Sequence, residues 1–215
     1  MMTRHLWAAA VTALAPTFLA ISANPAFAHH PMGGATPQTV ATGLLSGLGH
    51  PIIGIDHLAF VIAVGLAAAF TSRRFLTPLA FIAATIAGCL VQVAGTALPI
   101  AETVIAASIV ALGTLVLSGR ARGSFILIGL FAVAGLFHGW AYGESIVGAE
   151  PAPLLAYLAG FAAVQYALAL AAGYVTLRIW NSAGPAAIQP RLAGALIAGI
   201  GVAFLIENLE ALILA

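Results

Sequence analysis

Residues 50–70 read HPIIGIDHLAFVIAVGLAAAF, and this stretch decides what kind of protein the chain can be. It is apolar apart from His50, Asp56 and His57, and its length is close to the ~20 residues that a helix needs to cross a bilayer. A charged side chain near the bilayer centre costs about 2.5–3.5 kcal/mol. The stretch therefore predicts a membrane-spanning helix whose polar residues are present for a functional reason.

The composition of the whole chain agrees with this interpretation. The 215 residues are 62% hydrophobic and only 6% charged, whereas soluble domains average about 45–50% apolar and about 25% charged. The net charge of +1 gives no electrostatic support for a nucleic-acid partner. The basic residues are all Arg, which excludes the usual P-loop and the enzymes that need a Schiff-base lysine. The single cysteine, Cys89, excludes an intrachain disulfide and a Cys-based zinc or iron–sulfur site.

Residues 1–28 have the features of a cleaved signal peptide. They combine a positive start at Arg4, an apolar stretch and a small-residue cleavage motif that ends at Ala28. Cleavage there leaves a new N-terminus that begins with His29 and His30 and lies outside the cytoplasm. The alternative is that this segment is an uncleaved first membrane helix.

Six long apolar runs, each near the length of one membrane span, predict the fold. We expect an all-α integral membrane protein, a six-transmembrane-helix bundle preceded by the signal peptide. The runs cover about 50–70, 76–97, 100–118, 124–142, 153–177 and 191–213.

The segment 29–49, rich in Gly, Pro and Thr, is expected to be a periplasmic lead-in or half-helix before the six-helix domain of 50–215. Its part from 40 to 48 is apolar enough to be helical. His50-Pro51 is typical of a helix start, with His50 at the cap and Pro51 at the first helical position. We therefore expect the first full span to begin at this point.

The distribution of Arg residues predicts the orientation. With the mature N-terminus outside, the loops after spans one, three and five are cytoplasmic, and they contain every Arg of the mature chain, as the positive-inside rule requires. Glu102, Glu144 and Glu150 then fall at outer loops or span ends. The prediction is a multi-pass protein of the bacterial inner membrane, embedded in the lipid bilayer, with both termini periplasmic.

Several polar residues of different spans fall at one depth. At 1.5 Å per residue, Asp56 and His57 lie about 5–7 Å outward of the middle of span one. His138 in span four, Glu207 in span six and Gln92 in span two come to about the same level. Their common depth suggests that they form one polar site and are not unrelated polar residues.

The residue types in this layer are typical of a metal site. His50 and His57 are seven residues apart, so they share a face if both are helical. Imidazole and carboxylate donors without thiolate suit divalent nickel, cobalt or zinc better than Cu(I). His50, Asp56, His57 and His138 would supply four ligands. The alternative for a lone intramembrane His such as His138 is a packed, hydrogen-bonded side chain.

Weaker metal-ligand candidates have ordinary explanations as well. Glu207 could pair near the outer surface, and Glu102 could serve only the dipole of its helix. His29 and His30 could be the flank of the cleavage site, although as a free terminus their imidazoles could capture metal.

Two segments carry a resemblance to a known family. His50 to His57, HPIIGIDH, resembles the HPxxGxDH motif of the HupE/UreJ family of nickel and cobalt permeases, and Phe137 to Glu144, FHGWAYGE, is similar to that family's second signature. Many members carry a second His where this chain has Tyr142, with the acidic residue slightly further on. The resemblance implies metal-binding or transport roles for His50, Asp56, His57, His138 and Glu144.

The resulting hypothesis is a secondary permease that imports Ni²⁺ or Co²⁺ as its substrate, with no organic cofactor and no enzymatic activity. One alternative is a membrane accessory protein that passes metal to hydrogenase or urease maturation proteins. Another is a haem-binding protein with His57 and His138 as axial ligands. An intramembrane enzyme using Ser46 or Ser145 has less support, because no GxSxG motif is present.

Overall fold

The computed structural model of the protein describes residues 35–214, and the regular structure in that range is entirely helical. A 3₁₀ turn, Glu144–Ile146, follows the fifth helix, and a π-helical turn, Val175–Ile179, extends the sixth. The predicted signal peptide, His29 and His30 lie outside the described residues. The helices are α1 (Val40–Ile53), α2 (Ile55–Ala68), α3 (Thr77–Val93), α4 (Ala101–Leu117), α5 (Ser124–Gly143), α6 (Pro151–Tyr174) and α7 (Ile188–Leu214).

Helix length and composition identify a membrane protein. Within residues 35–214, α5, α6 and α7 are long and apolar enough to cross a membrane, and α1 with α2 would add a fourth span if the bent pair counts as one. The helices α3 and α4 have 17 residues each, or about 25 Å at 1.5 Å per residue, against a hydrocarbon core of ~30 Å. The described helices agree with an all-α membrane protein, and the count of six spans stays a prediction.

The first span does not begin where the sequence suggested. The helix α1 runs through His50 and Pro51 to Ile53, and α2 leaves it at an angle of 79°. Gly54, in an extended conformation, joins the two: its N–H donates to the carbonyl of His50, and its carbonyl accepts from the N–H of Leu58. Pro51 lacks an N–H and weakens the last turn of α1 instead of starting a new helix. The prediction of a helix start at Pro51 was therefore wrong by one turn.

The helix α2 is the centre of the bundle. It contacts each of the other six helices that the structure describes, and most of its side chains are buried. Its apolar residues, including Phe60 and Val64, form the main core together with Phe81 and Phe131. A smaller core contains the buried Cys89 together with Tyr157 and Phe161. The polar residues at the start of α2 consequently lie inside protein rather than against lipid.

Small residues let the outer helices pack in close pairs. A methyl group on Gly139 of α5 would collide with the backbone of Thr85 on α3, and one on Gly194 of α7 would collide with the backbone of α4. The pair of α1 and α6 is equally close at Gly47. Gly199, further along α7, faces open space instead. Such backbone contact is typical of membrane helices, where small residues set the distance of approach.

We expect Gly139→Ala to destabilise the protein by about 1–3 kcal/mol, because the added methyl group forces α3 and α5 apart. Gly129→Ala in the same helix is the matched control, since a methyl group there meets no atom within 4 Å. Thermal unfolding of the detergent-solubilised variants measures the difference. Equal midpoints for both variants would contradict the close contact.

Candidate metal site

Two histidines from different helices meet in the interior. The Nδ1 atoms of His57 on α2 and His138 on α5 are 2.9 Å apart, and both side chains are buried. The residues are 81 positions apart in the chain. The sequence prediction that these two rings share one layer is confirmed.

The neighbours of His138 indicate which nitrogen carries its proton. The hydroxyl of Ser108 donates its single hydrogen to the carbonyl of Ile105 at 2.7 Å. Its oxygen therefore accepts from Nε2–H of His138, which is 3.0 Å away. In the neutral ring, Nδ1 of His138 then has the lone pair, and Nδ1–H of His57 donates to it.

Asp56 lies beside this pair, in the first turn of α2, where the helix dipole favours a negative charge. Its Oδ2 is 3.9 Å from Nε2 of His57. Its Oδ1 is buried and accepts no hydrogen bond from residues 35–214. No Arg in residues 35–214 forms an ion pair with this carboxyl group.

His50 reaches the same region from the end of α1. Its ring centroid is 5.8 Å from that of His57 and 4.9 Å from that of Tyr142. The bend at Gly54 brings His50 and His57 together, whereas the sequence had suggested a common face of one helix. Nδ1 of His50 lies 2.8 Å from Oγ of Ser145 and 2.9 Å from Oη of Tyr157.

Aromatic rings surround the histidines. Tyr142 packs against His57 at a centroid distance of 4.5 Å, and its buried hydroxyl has no hydrogen-bond partner among the described residues. His138 packs against Phe60 at 4.4 Å and Phe81 at 5.7 Å. These rings leave the imidazoles in an apolar surrounding that strengthens their interaction with any charge placed among them.

The remaining candidates lie further out. Glu144 is exposed while its neighbour Ser145 is buried, and Glu102 and Glu207 are exposed on α4 and α7. Gln92 is half-buried and packs beside Gly143. Among residues 35–214, no three His, Cys, Asp or Glu side chains converge as a ready-made metal site.

Sequence reasoning missed two residues of this region. Ser108 was overlooked although the same depth count would have placed it near the middle of its span. Tyr157 has no signal in the sequence, because a Tyr near the end of an apolar helix is ordinary. Ser145 was considered only as a nucleophile, and its hydroxyl contacts His50 instead.

Comparison with known sequences now decides the family. The sequence profile described as HupE / UreJ protein matches residues 17–204. The chain belongs to the HupE/UreJ family. It is also 33% identical to Protein HupE of Rhizobium leguminosarum bv. viciae over 193 residues, which cover 88% of this chain and 96% of that relative. No solved structure matches the chain significantly.

The two segments that resemble HupE/UreJ signatures meet in space, since His57 comes from the first and His138 from the second. Their contact argues against the haem hypothesis. Axial ligands bind iron from opposite faces of a porphyrin, and nitrogens within hydrogen-bond distance leave no room for one.

We expect Gly54→Ala to disturb this site, because the added Cβ would lie 2.9 Å from Cδ2 of His57 and 3.2 Å from Oδ1 of Asp56. Affinity for Co²⁺, measured by calorimetry on the purified protein, should fall about tenfold or more. Gly123→Ala is the control: this glycine also precedes a helix in an extended conformation, and its Cβ would meet open space. If Gly54→Ala binds Co²⁺ with unchanged affinity, the bend at Gly54 has no role in metal binding.

Proposed function

We propose that the protein is a secondary permease that imports divalent nickel or cobalt from the periplasm to the cytoplasm. The ion is the substrate, and the protein needs no organic cofactor and performs no covalent chemistry. The observation that carries the proposal is the buried pair of His57 and His138 beside the carboxyl group of Asp56.

The distance within the pair is also that of two nitrogen ligands bound at a right angle to one ion. Two nitrogen ligands at about 2.0–2.1 Å from one ion, bound at a right angle, are about 2.9 Å apart. The Nδ1 atoms of His57 and His138 are 2.9 Å apart. Right-angled ligand pairs occur in square-planar and octahedral coordination, and square-planar nitrogen sites are typical of Ni(II) and Cu(II). The ring centroids are 5.1 Å apart, so the two Nδ1 atoms point at each other, and both rings would have to turn for a cation to replace the shared proton.

The groups beside Nε2 of each ring, Asp56 for His57 and Ser108 for His138, also suit histidines that bind a metal ion. When the ion occupies both Nδ1 atoms, the proton of His57 moves to Nε2, on the side of Asp56 Oδ2. His138 keeps its Nε2–H on Ser108. A ligating His usually donates its other N–H to a carboxylate or another oxygen, which orients the ring and raises its basicity.

The surroundings suggest a route. Discontinuous helices commonly form the substrate sites of secondary transporters, and here the break at Gly54 adjoins Asp56. Glu144 is exposed next to this region, and we propose that it collects ions at the periplasmic mouth together with His29 and His30. Phe60 and Phe81 pack against His138, so inward release requires these rings to move.

Uptake of radioactive nickel and cobalt by cells that lack their own permeases tests the proposal. We expect accumulation with the wild type and background levels with His57→Ala and Asp56→Asn, because they remove a ligand and the buried charge. Glu207→Gln, the same loss of charge at an exposed position, should behave as the wild type.

Two outcomes would contradict the permease. Wild-type levels of uptake in Asp56→Asn and His57→Ala would show that this site does not take part in transport. Metal binding by the purified protein without uptake in cells would instead favour an accessory role, in which the ion passes to hydrogenase or urease maturation proteins.

The proposal includes six spans, a cleaved signal peptide and periplasmic termini. The cytoplasmic ends of the bundle are expected to meet, and Arg191 at the start of α7 indeed donates to the carbonyl of Leu117 at the end of α4. This contact supports the proposal that the loops after α4 and α6 lie on the same side of the membrane. The acidic Glu150 lies directly before α6, in the loop from α5 that is predicted to be periplasmic.

Cysteine labelling tests this orientation, since Cys89 is fully buried and should not react. In intact spheroplasts, a membrane-impermeant maleimide should label Glu150→Cys, whereas Arg122→Cys should react only after the membrane is opened. The reverse pattern would invert the topology. Mass spectrometry of the purified protein should find His29 at the N-terminus.

A further inference from the structure

A second hydrogen-bonded group surrounds Nδ1 of His50 and is separate from the His57–His138 pair. Oγ of Ser145 and Oη of Tyr157 lie 2.8 and 2.9 Å from this nitrogen. Both hydroxyls also contact the carbonyl oxygen of Tyr142, at 3.1 and 2.7 Å. The side chains of His50, Ser145 and Tyr157 are buried, so these contacts must satisfy one another.

Counting hydrogens decides how the group is arranged. Each hydroxyl has one hydrogen, and a carbonyl oxygen has two lone pairs. Tyr157 donates to the Tyr142 carbonyl, and Ser145 donates to the same oxygen. The contacts of both hydroxyl oxygens with His50 then need a hydrogen from Nδ1, which the two oxygens share.

The opposite tautomer leaves one contact unfavourable. If Nδ1 of His50 carried the lone pair, Ser145 could donate to it. Tyr157 would still use its hydrogen at 2.7 Å on the Tyr142 carbonyl. Its oxygen would then face the nitrogen lone pair at 2.9 Å with no hydrogen between them. The network therefore favours His50 with its proton on Nδ1.

We infer that Tyr157 and Ser145 are positioning residues that hold His50 as the Nδ1–H tautomer and so present the lone pair of Nε2 to the cation. The inference rests on the proposed function and extends it to two residues outside the family motifs quoted above. It adds His50 as a nitrogen donor whose orientation is fixed before the ion arrives. Because no three such side chains of residues 35–214 converge on one point, His57 and His138 would have to turn toward that ion on binding. Fixing a ligand in advance lowers the cost of ordering it on binding.

Metal titration of the purified full-length protein tests the consequence for binding. We expect Tyr157→Phe to weaken Ni²⁺ or Co²⁺ binding about 10–100-fold, as loss of an outer partner of a ligating His usually does. Tyr166→Phe is the matched control on the same helix, because its hydroxyl donates to the carbonyl of Phe75. If Tyr157→Phe fails to fold, Ser145→Ala carries the same test with a smaller change.

A double-mutant cycle separates positioning from general stability. In the background of His50→Ala, Tyr157→Phe should cause no further loss of affinity, because the residue acts through the imidazole. Additive losses would overturn the inference, and so would wild-type affinity in both Tyr157→Phe and Ser145→Ala.

The tautomer itself is measured without metal. ¹⁵N-histidine NMR of the wild type should show Nδ1–H for His50, assigned by its loss in His50→Ala. A mixture of tautomers should appear when both hydroxyls are removed. Nε2–H in the wild type would overturn the inference. Because this readout needs no ion, a wild type that binds neither metal would refute the proposed function separately from the tautomer.

Discussion

A buried carboxyl group is the constraint on which the rest of the structure depends. An ionised Asp56 near the bilayer centre would cost about 2.5–3.5 kcal/mol against lipid. Its helix therefore occupies the centre of the bundle, in contact with the six other helices of residues 35–214. The backbone N–H groups in the first turn of α2 supply partial positive charge there. At the bend, a Cβ on Gly54 would lie 2.9 Å from the His57 ring and 3.2 Å from this carboxyl group.

The sequence predicted the apolar runs and the meeting of His57 with His138, because both follow from counting residues along helices of known rise. The bend was placed one turn too early. Pro51 is as common at a helix start as it is disruptive inside one, and local sequence does not distinguish the two cases. What decides is the hydrogen bond from Gly54 to His50, which keeps α1 intact past the proline.

The hydroxyl partners were harder to predict for a different reason. The 3₁₀ turn after α5 exposes Glu144 and buries Ser145, although the family resemblance had made Glu144 the candidate. Tyr157 reaches His50 because glycines bring α1 and α6 into backbone contact. Such contacts depend on packing between helices that are distant in sequence, so the periodic pattern of apolar residues does not predict them.

The hydrogen bond between His57 and His138 bears on the electrical balance of uptake. In the proposed mechanism an ion displaces the proton between the rings, but that proton only changes nitrogen on His57 and does not leave the protein. Each cation would then enter with both of its charges uncompensated. Two charges crossing 100 mV gain about 4.6 kcal/mol, or roughly three orders of magnitude in concentration. The membrane voltage alone would be enough to concentrate a trace metal inside the cell.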